Sequence, residues 1–489
     1  HSYQLTMLAV GAKVARPFTF KKCCDLLVSP EGQRCYLQLK QLSGLPKYPT
    51  KYILTIGYFT NNCPQTTLQQ QQIFNKFPLT LNTFSTTTKC LSEAAPKHYI
   101  ATNNDVSVLC AKLVTNGMVF VSFSDGTSGE FPCVWMRDNC QCSKCYNTHA
   151  LARTTLLDDL DVDVEPTSIK VSDDSLQVAW SDGHQSEFEA SWLKKRLFTP
   201  EAREQHRTRF KLKRVLWGDN FQIPEIEYSP LLTDDKALLD LIVAVEKHGI
   251  ALVKNSPQEV GPVLKIIDRL GFVKHTHFGY DYNVTIKFEP KSMAYTKQNL
   301  PLHTDQPYYE YPPGVVFLHC VSQHKGPGGD SILSDGIKAA ELLRKNYPEY
   351  FNTLASTDLY LRDRGFVTYD FDKINKNKTI VLDGNGEVRM LFYSGTSRDS
   401  LMDLEPKQVI KFYKAMKQFY QYFQDCRITM KMESGDMLVI DNSRVLHGRT
   451  AFNPSESSGM RHLHSANIDW NEVASKRRVL QDKFSLHLE

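Results

Sequence analysis

Between residues 105 and 197 the apolar positions come in short runs separated by turn residues. Val106 to Val114 and Met118 to Phe123 flank Asn116-Gly117, a dipeptide suited to a two-residue hairpin turn with positive φ. Ser168 to Val171, Leu176 to Trp180 and Glu187 to Leu193 continue the pattern, with a turn at Asp182-Gly183. This stretch predicts a small β domain. The charged run Lys194 to Lys213 follows, and residues 198–228 are assigned to a linker.

From residue 229 the period lengthens. Leu238, Leu239, Ile242 and Val245 share one face of a helix that Thr233 caps and Gly249 ends, and the run Ile250 to Val253 follows as a strand. A second helix, Val260 to Leu270, stops at Gly271. Strand-like runs (Val315 to Cys320, Ile332 to Leu333, Thr379 to Leu382, Val388 to Phe392, Met437 to Ile440) then alternate with helical ones (Ile337 to Lys345, Lys407 to Gln424). Grouped strands with helices outside them predict an α+β domain with a β-sandwich core over 229–489.

The net charge of +4 is unevenly distributed. Residues 1–100 hold 11 Lys+Arg and three acids, so the remainder is slightly acidic, which excludes a protein whose affinity for nucleic acid comes from neutralising phosphates. Residues 1–104, with the Gln69 to Gln72 run and the hydroxyl-rich stretch Thr83 to Lys89, show no sustained apolar period and are assigned to an extension without a fold. Their basic character is that of a mitochondrial presequence, but their length, Lys content and Pro17, Pro46 and Pro49 are not. No run reaches the roughly 18 apolar residues of a membrane-spanning helix. Of the 12 Cys, three crowd into Cys140, Cys142 and Cys145, too close for all to be disulfide partners, which fits a reducing compartment.

Those three thiols, with His184 in the Asp182-Gly183 turn, make up a closed tetrahedral zinc set. Such a metal ties a loop to a distant hairpin in a domain with a thin core, and with no coordination position left for water it is structural. Reduced, unligated cysteines are the alternative. His303-Thr304-Asp305 and the distant His447 supply a two-His-one-carboxylate face suited to Fe(II). Taken singly, a neighbouring His and Asp are more often a buried pair or an exposed turn, and the chain has 15 His. The accompanying residues change that balance. Arg461, 14 residues beyond His447, is placed where the next antiparallel strand returns to the same pocket with a bidentate fork, and Ser331 adds a hydroxyl for the same carboxylate. A metal face, a carboxylate fork and a hydroxyl point to a 2-oxoglutarate site. Eight aromatic residues between Phe278 and Tyr311 (278, 280, 282, 288, 295, 308, 309 and 311) are candidates for a cage around a quaternary ammonium, or for core.

At WMRDNCQCSKC (135–145), SDGHQSEFEASWLKKR (181–196), AYTKQNLPLHTD (294–305), GPGGDSILSDG (326–336), DNSRVLHGR (441–449) and RHLHSANIDW (461–470) the chain resembles the γ-butyrobetaine dioxygenase family, kin of trimethyllysine dioxygenase. The likeness spans roughly 105–485. It implies a double-stranded β-helix (jelly-roll) oxygenase domain preceded by a zinc-binding β domain, assembled as a homodimer. It also implies Fe(II) on His303, Asp305 and His447, 2-oxoglutarate on Arg461 and Ser331, structural Zn(II) on Cys140, Cys142, Cys145 and His184, and ascorbate supporting activity. The implied substrate pocket comprises Phe278, Tyr282, Tyr295, Ser292, Gln306 and Asn467, departing from the family pattern at Tyr282, Ser292, Gln306 and Asn467.

The expected reaction is hydroxylation of a small trimethylammonium carboxylate by O2, γ-butyrobetaine to L-carnitine, with 2-oxoglutarate decarboxylated to succinate. The alternatives are trimethyllysine 3-hydroxylation, a diverged betaine-type dioxygenase, or, in a different class, a non-catalytic zinc-domain scaffold. The resemblance favours the cytoplasm, and the basic N-terminal segment keeps mitochondria as the alternative.

Overall fold

A computed structural model of the chain describes residues 106–172, 174–290, 292–453 and 459–486, together with the backbone of three earlier strands. Two compact units emerge, His1–Glu93 and Ala94–Glu489. In the first, where the sequence reading assigns no element, Gln4–Ala9, Tyr36–Gln41 and Tyr52–Gly57 form an antiparallel sheet with Tyr52–Gly57 in the middle. The Gln69 to Gln72 and Thr83 to Lys89 runs lie outside the described residues. Among those described, no helix is long and apolar enough to cross a membrane.

The second unit begins with the expected hairpin. Val108–Val114 pairs with Met118–Phe123 through a turn in which Asn116 and Gly117 both sit at φ 64°. Alternate residues of the second strand, Val119, Val121 and Phe123, face the core, and a second sheet (Pro166–Val171, Ser175–Trp180, Gln185–Glu189) closes over them with Leu176, Val178 and Phe188. The predicted strand through Leu193 stops at Glu189. Ala190–Lys194 turns helical instead, because Ala190 and Leu193, three apart, both bury.

Residues 198–228 are not a free linker. Pro200–Thr208 is a helix whose N-cap Thr199 accepts from the Ala202 amide. Leu212 and Trp217 are buried, with Trp217 Nε1 donating to the His248 carbonyl at 2.6 Å. The charged residues around them hide these two anchors from a periodicity argument.

The larger half is a two-sheet sandwich of ten strands. In chain order they are β1 (Glu225–Glu227), β2 (Ile250–Lys254), β3 (Asp281–Val284), β4 (Leu300–His303), β5 (Val315–Ser322), β6 (Ser331–Asp335), β7 (Arg427–Met430), β8 (Met437–Asp441), β9 (Val445–Arg449) and β10 (His462–Ile468). One sheet runs β1-β2-β8-β5-β10-β3 and the other β4-β9-β6-β7, the facing arrangement of a jelly roll. Leu252, Leu438 and Leu463 of the first sheet meet Leu333 and Val445 of the second in the interior.

Helices cover the outer faces: Asp235–His248, Pro262–Leu270 and Trp470–Lys483 on the first sheet, Gly336–Asn346, Pro348–Ser356 and Pro406–Asp425 on the second. The first of these is capped by Asp234, one residue after the expected Thr233. Gly249 ends it at φ 80°, and a Cβ there would lie 2.7 Å from Val445 Cγ2, so backbone conformation and packing both demand glycine. A hairpin of Asp358–Phe366 and Asp370–Lys378 stands outside the sandwich. Its charge-rich strands escape the sequence reading.

Candidate active site

Strand register brings together residues 144 positions apart. β4 pairs with β9 so that His303 lies opposite His447, and β9 in turn pairs with β6, placing Ser331 opposite Arg449. Asp305 follows in the turn leaving β4. Its Oδ1 lies 3.2 Å from His303 Nε2 and 3.5 Å from His447 Nε2, and the imidazole centroids are 4.5 Å apart. His303 Nδ1 donates to the Pro301 carbonyl at 2.9 Å, which fixes the ring and turns Nε2 toward the same point as the carboxylate oxygen. Burial by itself would raise the Asp305 carboxyl, but the imidazoles of His447 and His303 outweigh it and hold it well below the ordinary carboxylate range. Two imidazole nitrogens and an ionised oxygen converging on one point form a donor set that fits a divalent iron.

The loop carrying Asp305 is held on both sides. Asp305 N–H donates to Asn442 Oδ1 at 2.6 Å, while Asn442 Nδ2 donates to the carbonyls of Asp305 and Pro313, each at 2.9 Å. Thr304 is bonded through its amide and hydroxyl to the backbone of Tyr393. Asn442 and Thr304 were not singled out from the sequence; both lie inside matching motif stretches, and that is the only signal they gave.

Arg461 does reach this cavity, although not as expected. It enters from the start of β10 in the first sheet, facing β9 across the sandwich rather than returning as its neighbour. It is 4% exposed, and its Nε has no partner among the described residues. Burial, with Arg449 nearby, lowers it to about 10. A desolvated guanidinium with an unused donor is matched by an anion. Ser331 lines the same cavity. Arg449 is already occupied, donating to the carbonyls of Ala294, Thr296 and Gln298 and so fixing the segment that carries Ser292 and Tyr295.

The cavity measures about 290 Å³. Phe278, Tyr282 and Tyr295 form one wall, with the Phe278 centroid 5.1 Å from Tyr282 and 6.4 Å from Tyr295. Ser292 and Gln306 also line it; Gln306 is held at φ 51°, and neither end of its buried amide has a partner among the described residues. Asn467 is not in the wall. It lies behind Tyr282, close to that hydroxyl, and is 1% exposed. Of the remaining aromatic candidates Tyr308 lines the cavity, Tyr309 bonds His277, and Tyr280, Phe288 and Tyr311 are exposed, so the sequence density is only half a pocket.

Away from this cavity, Cys140, Cys142 and Cys145 place Sγ 3.3, 3.6 and 3.5 Å from His184 Nε2. A tetrahedral zinc with Zn–S about 2.3 Å and Zn–N about 2.0 Å has S···N edges of about 3.5 Å, so the four donors fit that ion. Arg137 buttresses the cluster through Asp182 at 2.7 Å and Cys145 Sγ at 3.5 Å. Burial alone would raise the Cys142 thiol, yet the amides of Lys144 and Cys145 donate to it and bring it below its ordinary value.

Comparison with known proteins agrees with this geometry. Residues 210–467 match the family of taurine catabolism dioxygenase TauD and TfdA, and 113–194 match the N-terminal region of γ-butyrobetaine hydroxylase-like proteins. The chain is 35% identical to γ-butyrobetaine dioxygenase of Homo sapiens over 356 residues, covering 72% of this chain and 92% of the human protein. The chain belongs to the γ-butyrobetaine dioxygenase family. Within that family it is also 31% identical to the enzyme of Pseudomonas sp. (strain AK-1), over 74% of this chain and 94% of that one. Human mitochondrial trimethyllysine dioxygenase is 28% identical over 72% of this chain and 82% of its own length. As a member of this γ-butyrobetaine dioxygenase family, the protein is a dioxygenase dependent on Fe(II) and 2-oxoglutarate.

Proposed function

We propose that the enzyme hydroxylates γ-butyrobetaine to L-carnitine, consuming O2 and 2-oxoglutarate and releasing succinate and CO2. The observation carrying this is the convergence in one cavity of the His303, Asp305 and His447 donors, the buried Arg461, whose Nε has no partner among the described residues, and a three-ring wall. Greater identity to γ-butyrobetaine dioxygenases than to trimethyllysine dioxygenase supports it.

In this reading His303, Asp305 and His447 hold the iron, which with 2-oxoglutarate supplies the oxygen activation needed to break an unactivated C–H bond. Arg461, with Ser331 beside it, takes the far carboxylate of 2-oxoglutarate. Phe278, Tyr282 and Tyr295 receive the trimethylammonium group, whose spread charge suits ring faces better than directed hydrogen bonds. Gln306 and Ser292 offer neutral polar contacts to the rest of the substrate. Cys140, Cys142, Cys145 and His184 hold a structural zinc. The reading extends to a homodimer in the cytoplasm, supported only by the family likeness; light scattering on the purified chain and cell fractionation test the two.

Purified protein with Fe(II), 2-oxoglutarate and either γ-butyrobetaine or trimethyllysine decides the substrate. Succinate formation and a hydroxylated product are expected with γ-butyrobetaine. Preferential turnover of trimethyllysine would overturn the assignment.

A further inference from the structure

The hairpin outside the sandwich delivers a charge to the cavity. Asp363, on its first strand, lines the cavity wall and keeps 32% of its side chain open. Among the described residues its one ion-pair neighbour is His277, Nε2 at 3.8 Å, and that imidazole is fully buried and neutral, held at about 4 by burial and Lys373. The remaining partners of Asp363, the Tyr308 hydroxyl and the Arg364 amide, carry no charge; burial raises its carboxyl in spite of them. The other lining carboxylate is Asp305, committed to the two histidines.

The position of this carboxylate is informative. The His277 ring, 3.8 Å from Asp363, lies 4.0 Å, centroid to centroid, from Phe278, so the carboxylate and the ring wall neighbour the same imidazole while both line the cavity. Lys373, opposite Asp363 across the hairpin, lies over the Tyr309 ring and forms no ion pair with Asp363, so the cavity pairs an aromatic surface with a carboxylate that has no cationic ion-pair partner among the described residues. Dispersion and burial serve a neutral branched group and a cation of the same shape alike, and the ring quadrupoles add a preference for the cation. A partly desolvated carboxylate adds to that preference, because its field acts only on formal charge and is weakly screened there.

We propose that Asp363 is a specificity-determining residue: it pairs with the cationic end of the substrate beside Phe278, Tyr282 and Tyr295, and makes the pocket select a positively charged substrate over a neutral one of equal shape. The choice of γ-butyrobetaine as the test substrate rests on the function proposed above, whereas the charge preference does not.

Asp363→Asn keeps the shape and still accepts from Tyr308. Calorimetric titration of full-length protein compares γ-butyrobetaine with its neutral isostere, in which carbon replaces the quaternary nitrogen, and adds tetramethylammonium as a probe requiring neither carboxylate nor turnover. The expected result is a loss of at least tenfold in affinity for γ-butyrobetaine and tetramethylammonium, with the isostere unchanged or tighter, and a raised KM at nearly constant kcat. Tyr308→Phe, which removes the hydroxyl but not the charge, is expected to keep the preference for cations. Equal weakening of cation and isostere in Asp363→Asn would reduce Asp363 to a structural prop, and no change in either would remove it from the pocket; both overturn the proposal. Failure of γ-butyrobetaine alone to bind the unaltered protein, with tetramethylammonium still discriminating, counts against the substrate reading and supports the role of Asp363.

Discussion

Removing the Asn442 side chain beyond Cβ strips three hydrogen bonds from the backbone that positions Asp305. In Asn442→Ala the Asp305 amide and the Asp305 and Pro313 carbonyls lose partners at 2.6, 2.9 and 2.9 Å, in a place where Asn442 itself is 2% exposed. At about 1 kcal/mol net for each bond, and more where water cannot replace it, the fold should lose about 3 kcal/mol. The functional loss should be steeper, since a carboxylate displaced by about 1 Å can cost on the order of a hundredfold in rate. Asn442→Asp sharpens the test: it retains an acceptor for the Asp305 amide but turns an acidic oxygen toward two carbonyls, so it should be no better than Ala. Urea unfolding gives the stability term, and succinate release at saturating co-substrates gives kcat. If Asn442→Ala unfolds at the same urea concentration as the unaltered protein and retains full turnover, the clamp does not position Asp305 and the reasoning fails.

Arg444 and Asp335, both without exposed side-chain surface, are joined by two hydrogen bonds at 3.1 and 2.7 Å, and Arg444 also donates to the carbonyls of Lys247 and Val215. Arg444→Met should destabilise by about 3–5 kcal/mol by leaving a buried carboxylate unpaired, and Asp335→Asn in that background should recover part of the loss; strict additivity in a double-mutant cycle would contradict this. Burial and the neighbouring His464 and His462 hold His319 at about 4, below its unfolded value of about 6.5. The neutral form is thus favoured by folding, so its stabilisation is present above pH about 6.5 and is lost as the pH falls toward 4. In His319→Met the slope of stability against pH in that window should flatten by about 1.4 kcal/mol per unit, and an unchanged slope in pH-dependent unfolding would refute the assignment. A strong zinc chelator should lower the melting temperature of the unaltered protein but hardly that of Cys142→Ser, which starts lower; equal shifts would mean the cluster holds no stabilising metal.

Much of the helical framework was legible because an amphipathic helix carries its own period. Asp235–His248 and Pro406–Asp425 each bury one stripe, and their ends fell within two residues of expectation. The strands that build the active site were harder to read. β4, β9 and β10 are short, contain the functional histidines and Arg449, and bury polar side chains, so neither alternation nor an apolar run marks them. The hairpin carrying Asp363 reads as a solvated charged stretch, and the anchors Leu212 and Trp217 lie inside one that resembles a linker.

The sequence by itself determined the chemical inventory: which residues can donate to a metal, which cation can hold a carboxylate, and in what order they occur. Donor chemistry belongs to the side chain and motif spacing is local, so both survive without a fold. Tertiary structure decided which of these meet. β-Sheet register set His303 against His447, the facing sheet supplied Arg461, and packing sorted eight aromatic residues into a wall and a remainder while moving Asn467 behind Tyr282. Such long-range pairings depend on how two sheets stack and where hairpins close, and no local period encodes that.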